Sequence, residues 1–165
     1  MSTRTIPTET RVNEQTSDAI NQAIRRQLEA SVYFYSHHPE LIHERLRELE
    51  QEWDIERMLE TNAGAITFSA TVLGFIFRPL RLLPMVVGGF LVQHAIQGWC
   101  PPVPLFRRLG FRTTYEINLE RYALKTLRGD FQEVSYSDDP CGKSAQALEA
   151  VYGDETFYRD RVATE

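Results

Sequence analysis

Between Asn62 and Arg78 the chain carries no Asp, Glu, Lys or Arg, and after the short turn RPLRLL a second apolar segment runs to Trp99. Two such segments must either pack into a protein core or enter lipid, and almost nothing else in the sequence constrains the fold so tightly. The first, read as a helix from Asn62, is about 24 Å long, short for a hydrocarbon layer of about 30 Å. Arg78 can snorkel at one end, and Met58 and Leu59 extend the apolar face at the other. The second, Leu80 to Trp99, is longer, with Pro79 and Pro84 in its opening turns, Arg81 near one interface and Trp99 as an aromatic anchor at the other. Two buried helices of a soluble bundle are the competing reading, since Thr67, Ser69, Thr71, Gln93, His94 and Gln97 are polar for a lipid setting.

Small residues predict close pairing of the two segments. Ala63, Thr67, Ala70 and Gly74 recur at helical spacing on the first, and Gly88, Val92 and Ala95 offer a narrow stripe on the second. Such stripes serve contact within the hairpin or between protomers. The basic residues Arg45, Arg47, Arg57, Arg107, Arg108 and Arg112 lie on the side of the termini, against Arg78 and Arg81 in the turn, so both termini are expected in the cytoplasm.

The flanks are polar. Residues 1–12 read as a disordered lead with little to bury and no apolar signal core. Residues 13–61 read as amphipathic helix: Ala19, Ile20, Ala23, Ile24 and Leu28 form one stripe, and Ile42, Leu46, Leu49 and Trp53 a second one after Pro39. The second stripe is expected to pack against the first helix or a partner subunit. Residues 62–112 comprise the hairpin and its exit, and three prolines after Cys100 are expected to force an extended path. Residues 113–129 predict a helix opened by a Thr113/Glu116 capping box and closed by Gly129. Residues 130–165 form an acidic tail with a short helix near residues 144–152. The fold class is therefore all-α: a two-helix transmembrane hairpin flanked by amphipathic cytoplasmic helices, with disordered termini.

A net charge of -5 disfavours nucleic acid as a partner, because phosphate binding needs a basic face. Cys100 and Cys141 are too far apart, and too poorly supplied with neighbouring histidines, for a zinc site. His37, His38 and His43 do not share one helix face and read as solvated or capping residues. No nucleotide loop, hydrolase elbow or haem-attachment motif is present, so no cofactor is expected.

Glu56, Arg57 and Asn62, the two apolar segments and then GWCPPVPLFRRLGFRT together resemble the YgaP-like inner-membrane transmembrane domain. The likeness covers residues 54–114, with Gly98, Cys100, Pro101, Leu109 and Gly110 in the family's order. It implies a membrane hairpin in the bacterial inner membrane, frequently dimeric and sometimes fused to a sulfur-transferring rhodanese domain. This chain inserts Pro102–Pro104, has Arg112 and Thr113 where many members have Thr-Cys, and lacks a rhodanese loop. Sulfur transfer therefore does not carry over.

Two residues stand out as chemical candidates. Cys100 sits at the expected membrane boundary near Arg107 and Arg108, which would favour a thiolate; the alternative is a small apolar packing residue. His94 is ionisable within an apolar segment and shares a face with Gln97 and Cys100, lining a polar cavity or hydrogen-bonding to Thr67 or Thr71 on the other helix. The function expected is a non-enzymatic inner-membrane anchor that self-associates and presents its cytoplasmic helices to a protein partner of unknown identity. A thiol-based sulfur or redox carrier acting through Cys100 and a soluble helical-bundle interaction protein are the alternatives.

Overall fold

The computed structural model describes residues 8–132, 134 and 140–152. Among these the regular structure is entirely helical: α1 (Arg11–Glu14), α2 (Asp18–His37), α3 (Ile42–Gln51), α4 (Ile55–Leu73), α5 (Leu83–Gln97), α6 (Val103–Arg108), α7 (Thr114–Arg128) and α8 (Pro140–Tyr152). Short 3-10 turns at Pro39–Leu41 and Arg78–Leu82 lead into α3 and α5. The packing divides into a base of α2, α3 and α7 and a hairpin of α4 and α5, with α1 and α6 at the join.

The base is held by the stripe on α3. Ile42, Leu46 and Leu49 are buried against Ile117 and Leu124 of α7, with Tyr35 of α2 alongside. Burying each such aliphatic side chain contributes about 1.5–3 kcal/mol, so this small cluster is what gives α3 a fixed place. The stripe packs chiefly on α7, which the spacing on α3 could not identify. Trp53, expected to continue it, is 39% exposed and lies under the Arg57 guanidinium, 4.3 Å from the ring centroid. The reason is a break: α3 ends at Gln51 and the chain is extended at Glu52 and Asp54, so Trp53 leaves the helical register.

Asp54 then starts α4. Its carboxylate accepts from the Arg57 amide at 2.8 Å, an N-cap, and from the Thr114 hydroxyl at 2.5 Å. The Ile55 amide donates to the Arg112 carbonyl at 2.8 Å, so the starts of α4 and α7 are tied together. From there α4 runs unbroken to Leu73, and the change of composition at Asn62 marks no structural boundary. The amphipathic first half and the apolar second half are one helix.

α4 packs along α5. Ala63, Ala70 and Gly74 are buried and Thr67 half-buried, so this stripe faces the partner helix. On α5 the stripe is displaced from the expected one: Val92 and Ala95 are exposed, Gly88 is half-buried, and the more enclosed positions are Pro84, Val87, Leu91 and His94, running to Gly98. Of the two uses expected for the small residues of α5, contact within the hairpin is therefore taken by Pro84, Val87, Leu91 and His94 rather than by Val92 and Ala95. At the turn, Arg81 Nε donates to the Gly74 carbonyl at 2.8 Å, and a side chain at Gly74 would meet the Ala70 carbonyl oxygen at 2.9 Å. A turn arginine thus caps the carboxyl end of α4, where the helix dipole favours a cation.

The hairpin leaves its large side chains outside. Phe68, Phe75, Ile76, Met85 and Ile96 are each 70–79% exposed. Among the described residues one helix, Arg78–Gln97, is long and apolar enough to cross a membrane. The two apolar segments are present as a packed hairpin, but only the second meets that measure of length and apolarity; α4 spends its first turns in the base.

Two further expectations change. The lead does not extend to residue 12: α1 spans Arg11–Glu14, and Val12 is buried among Ile55, Leu59, Cys100 and Val103. One valine in a polar stretch has no periodicity to reveal it. The prolines after Cys100 do not hold the chain extended; they open α6, where a missing amide proton is tolerated because the first turn has no intrahelical use for it. The capping box of α7 is present, Gly129 closes that helix in the left-handed region at φ 94°, and α8 begins at Pro140, before residue 144. Lys125 of α7 donates to the Val151 carbonyl of α8. The disorder expected for residues 1–7 and the end of the tail lies outside the described residues.

Candidate functional site at the hairpin root

α5 ends at Gly98, whose φ of 76° is the left-handed conformation that closes helices. There the chain meets α1 at backbone distance: a Cβ built on Gly98 would stand 2.4 Å from the Arg11 carbonyl oxygen. Any side chain at this position forces α1 away. Gly98→Ala combines left-handed strain of about 1–2 kcal/mol with that collision, and is expected to lower the thermal midpoint and expose the Arg11–Glu14 segment to protease. Unchanged melting and cleavage in Gly98→Ala would contradict this packing.

Around the glycine lie charged groups from three elements. Glu56 of α4 accepts from Arg11 Nη2 at 2.9 Å through one oxygen and pairs with His94 Nε2 at 2.6 Å through the other. Arg11 also donates to the Thr8 carbonyl at 2.9 Å. His94 is 5% exposed, and its Nδ1 has no hydrogen-bond partner among the described residues. A cavity of about 420 Å³ opens beside this cluster, lined by Thr8, Glu9, Arg11 and Glu56 and by Tyr115 and Asn118 of α7.

Deeper in the base is a network of ion pairs. The Arg107 side chain is fully buried and forks onto Glu116, Nη1 to Oε2 at 2.6 Å and Nη2 to Oε1 at 2.8 Å, while its remaining donors reach Thr16, Asn21 and the Phe111 carbonyl. Glu120, also fully buried, accepts from Arg112, from Arg45 at 2.9 Å and from Ser31 at 2.6 Å. Arg112 holds Glu52 as well, at 2.7 and 2.5 Å. Burial alone would raise both glutamates' pKa values. The guanidinium hydrogen bonds, joined at Glu116 by the Thr113 amide and at Glu120 by the Ser31 hydroxyl, more than offset it and hold both below the ordinary carboxylate range.

The arrangement changes the meaning of several sequence candidates. Cys100 is 5% exposed within the apolar cluster of Val12, Ile55, Leu59 and Val103, and burial pushes its thiol pKa up. Arg107 is committed to Glu116, so it does not serve the thiol as expected. Gln97 is exposed and His94 is directed to Glu56, whereas Thr71 bonds back to the Thr67 carbonyl at 2.8 Å within α4. His94, Gln97 and Cys100 are therefore close in sequence without forming one polar face. His37 contacts the Tyr33 carbonyl at 3.0 Å, and His38 approaches Glu40 at 3.4 Å, so these are local contacts.

Sequence reasoning missed Glu56 as the partner of His94, and Arg11 as the second partner of Glu56. The only available signal was an ionisable residue in an apolar segment, which required a counter-charge from somewhere else in the chain. Glu56 was visible near the end of the hairpin that adjoins the polar flanks, yet its helix register was obscured by the unrecognised break at residues 52–54. No family model, curated protein or solved structure matches this chain.

Proposed function

We propose that the protein is a non-enzymatic anchor or assembly module of the bacterial inner membrane, with the α4–α5 hairpin in lipid and both termini in the cytoplasm. The observation that carries this reading is the contrast between the two halves. In the base, the stripe Ile42, Leu46 and Leu49 is covered and even arginine is buried, while Tyr33, Phe34, Leu119 and Leu127 stay exposed; the hairpin presents phenylalanine, isoleucine and methionine outward along its length, at up to 79% exposure. In water such a surface would aggregate; in a bilayer it is the ordinary solvent-facing side. The capping of α4 by Arg81 supports the same reading, because it gives the far turn's carbonyl a partner where water is scarce. The likeness to the YgaP-like domain also favours this location.

Self-association is the second element. Gly88 and Gly89 have open space where a side chain would stand, and Ala95 is exposed beside them, leaving a narrow face on α5 for a second copy. The base then presents α2 and α7 to a protein partner. The burial of Cys100 gives no support to a thiol carrier. Sodium carbonate extraction of native membranes tests the anchor: the protein is expected to remain in the pellet and to run as an oligomer in mild detergent. Release as a soluble monomer would overturn the reading.

A further inference from the structure

We propose that α6 is an interfacial collar of the hairpin: its outer face, Leu105 and Leu109 with Arg108 beside them, lies in the phospholipid headgroup layer and adds apolar height to a hairpin that is short for a bilayer. This rests on the reading of α4 and α5 as embedded in lipid.

The two sides of α6 differ. Val103 and Arg107, four residues apart, turn inward: Val103 is buried with Ile55, Leu59 and Cys100, and Arg107 forks onto Glu116. Leu105 and Leu109, also four apart, therefore share the opposite side, at 57% and 66% exposure, with Pro101 and Arg108 exposed as well. The helix cannot roll its leucines under, because that would withdraw a buried guanidinium from its carboxylate. From Ala95 to Tyr115 the chain has no Asp or Glu, and Arg108 has no carboxylate partner among the described residues.

Singly exposed leucines are ordinary on protein surfaces. What distinguishes these two is their level along the hairpin. Taken as helix from Asn62 to Arg78, the first arm reaches about 24 Å, about 6 Å less than a hydrocarbon layer of about 30 Å. Four helical residues, again about 6 Å, separate Ala63 from Leu59. Leu59 shares its buried cluster with Val103, and α6 packs on α4. The collar therefore stands where the apolar surface of the hairpin gives out and the bilayer would otherwise have to thin. Half-buried Trp99, at the same exit from α5, is the aromatic residue such a boundary favours. An interfacial helix buries its apolar side about 5–10 Å into the headgroup and acyl boundary, and the long stem of Arg108 lets its guanidinium reach lipid phosphates while the leucines enter.

Tryptophan quenching in phospholipid vesicles tests the collar. Four variants of the full chain, Leu105→Trp, Leu109→Trp, Val92→Trp and Glu50→Trp, each add one tryptophan at an exposed position, and the native chain with Trp53 and Trp99 serves as the blank. The probe is a phospholipid brominated on its acyl chains near the headgroup end. The added emission at Leu105 and Leu109 is expected to be quenched several-fold more than that at Glu50, on the exposed side of α3. Bromine near the chain ends should quench Val92→Trp instead. Quenching at both α6 positions no greater than at Glu50, with Val92→Trp quenched, overturns the collar and leaves the anchor standing; this holds whether the α6 tryptophans emit as in water or are blue-shifted under a second copy of the chain. Val92→Trp unquenched at either depth overturns the anchor, and the collar with it.

Discussion

Glu116→Ala is expected to destabilise the base by about 3–5 kcal/mol, the range found when one member of a buried ion pair is removed. Arg107 has no other acidic partner among its contacts; Thr16, Asn21 and the Phe111 carbonyl are neutral, and its side chain has no exposure to water. The substitution also strips the capping box, because the Glu116 carboxylate accepts the Thr113 amide at 2.8 Å. Urea denaturation followed by far-ultraviolet circular dichroism measures the loss. A change below 1 kcal/mol would mean that Arg107 finds water in the folded protein. The same pair fixes a pH dependence. Since the folded pKa values of Glu116 and Glu120 are held down, their contribution is fully present above the range where an unfolded glutamate ionises, about 4.3. It is lost as pH falls through the lower folded values. Acid unfolding is therefore expected to begin below pH 4.3, and Glu116→Ala should remove part of its steepness.

Val92→Arg separates a lipid-facing hairpin from a water-facing one. Val92 is 61% exposed on α5, and an exposed position on a soluble protein accepts arginine within about 0.5 kcal/mol. Near the middle of a membrane helix the same residue disfavours insertion by about 2.5–3.5 kcal/mol. On the anchor reading, the variant is expected to lose membrane-fraction yield several-fold relative to the native chain expressed alongside it. Equal yield, with the variant still in the carbonate pellet, would place this face against water or protein.

The sequence made the helices easier to find than their ends and partners. The stripe Ile42, Leu46 and Leu49, the Thr113/Glu116 box and Gly129 are local signals, each written within one or two turns, and the structure uses them as such. The break at Glu52–Asp54 was hidden because Asp54 suits either a helix surface or an N-cap, and what decides is a long-range contact, the Thr114 hydroxyl and the Arg112 carbonyl. The site was still less legible. Arg107, Arg108 and Arg112 look alike in sequence as basic residues after an apolar segment. In the structure Arg107 and Arg112 are buried in ion pairs and Arg108 is exposed. Which acid meets which base depends on how α2, α3 and α7 cross, and no periodicity encodes that. One consequence bears on the anchor reading: arginines neutralised by Glu116, Glu120 and Glu52 would contribute less to orienting the chain than a plain count suggests, leaving Arg47, Arg57 and Arg108 as the exposed ones of the six counted.

The continuity of α4 has a mechanical consequence. Its first turns are clamped by Asp54, Ile55 and Leu59 in the base, and its last turn carries the hairpin tip, with no glycine hinge, proline or cap in between other than Gly64. Over nineteen residues such a rod is about 28 Å long. Tilting its rooted end by ten degrees would sweep the far end through about 5 Å at that length. Rearrangement among the buried arginines at the rooted end of α4 is thus delivered as sideways displacement at the hairpin tip, through a lever that needs no moving joint of its own.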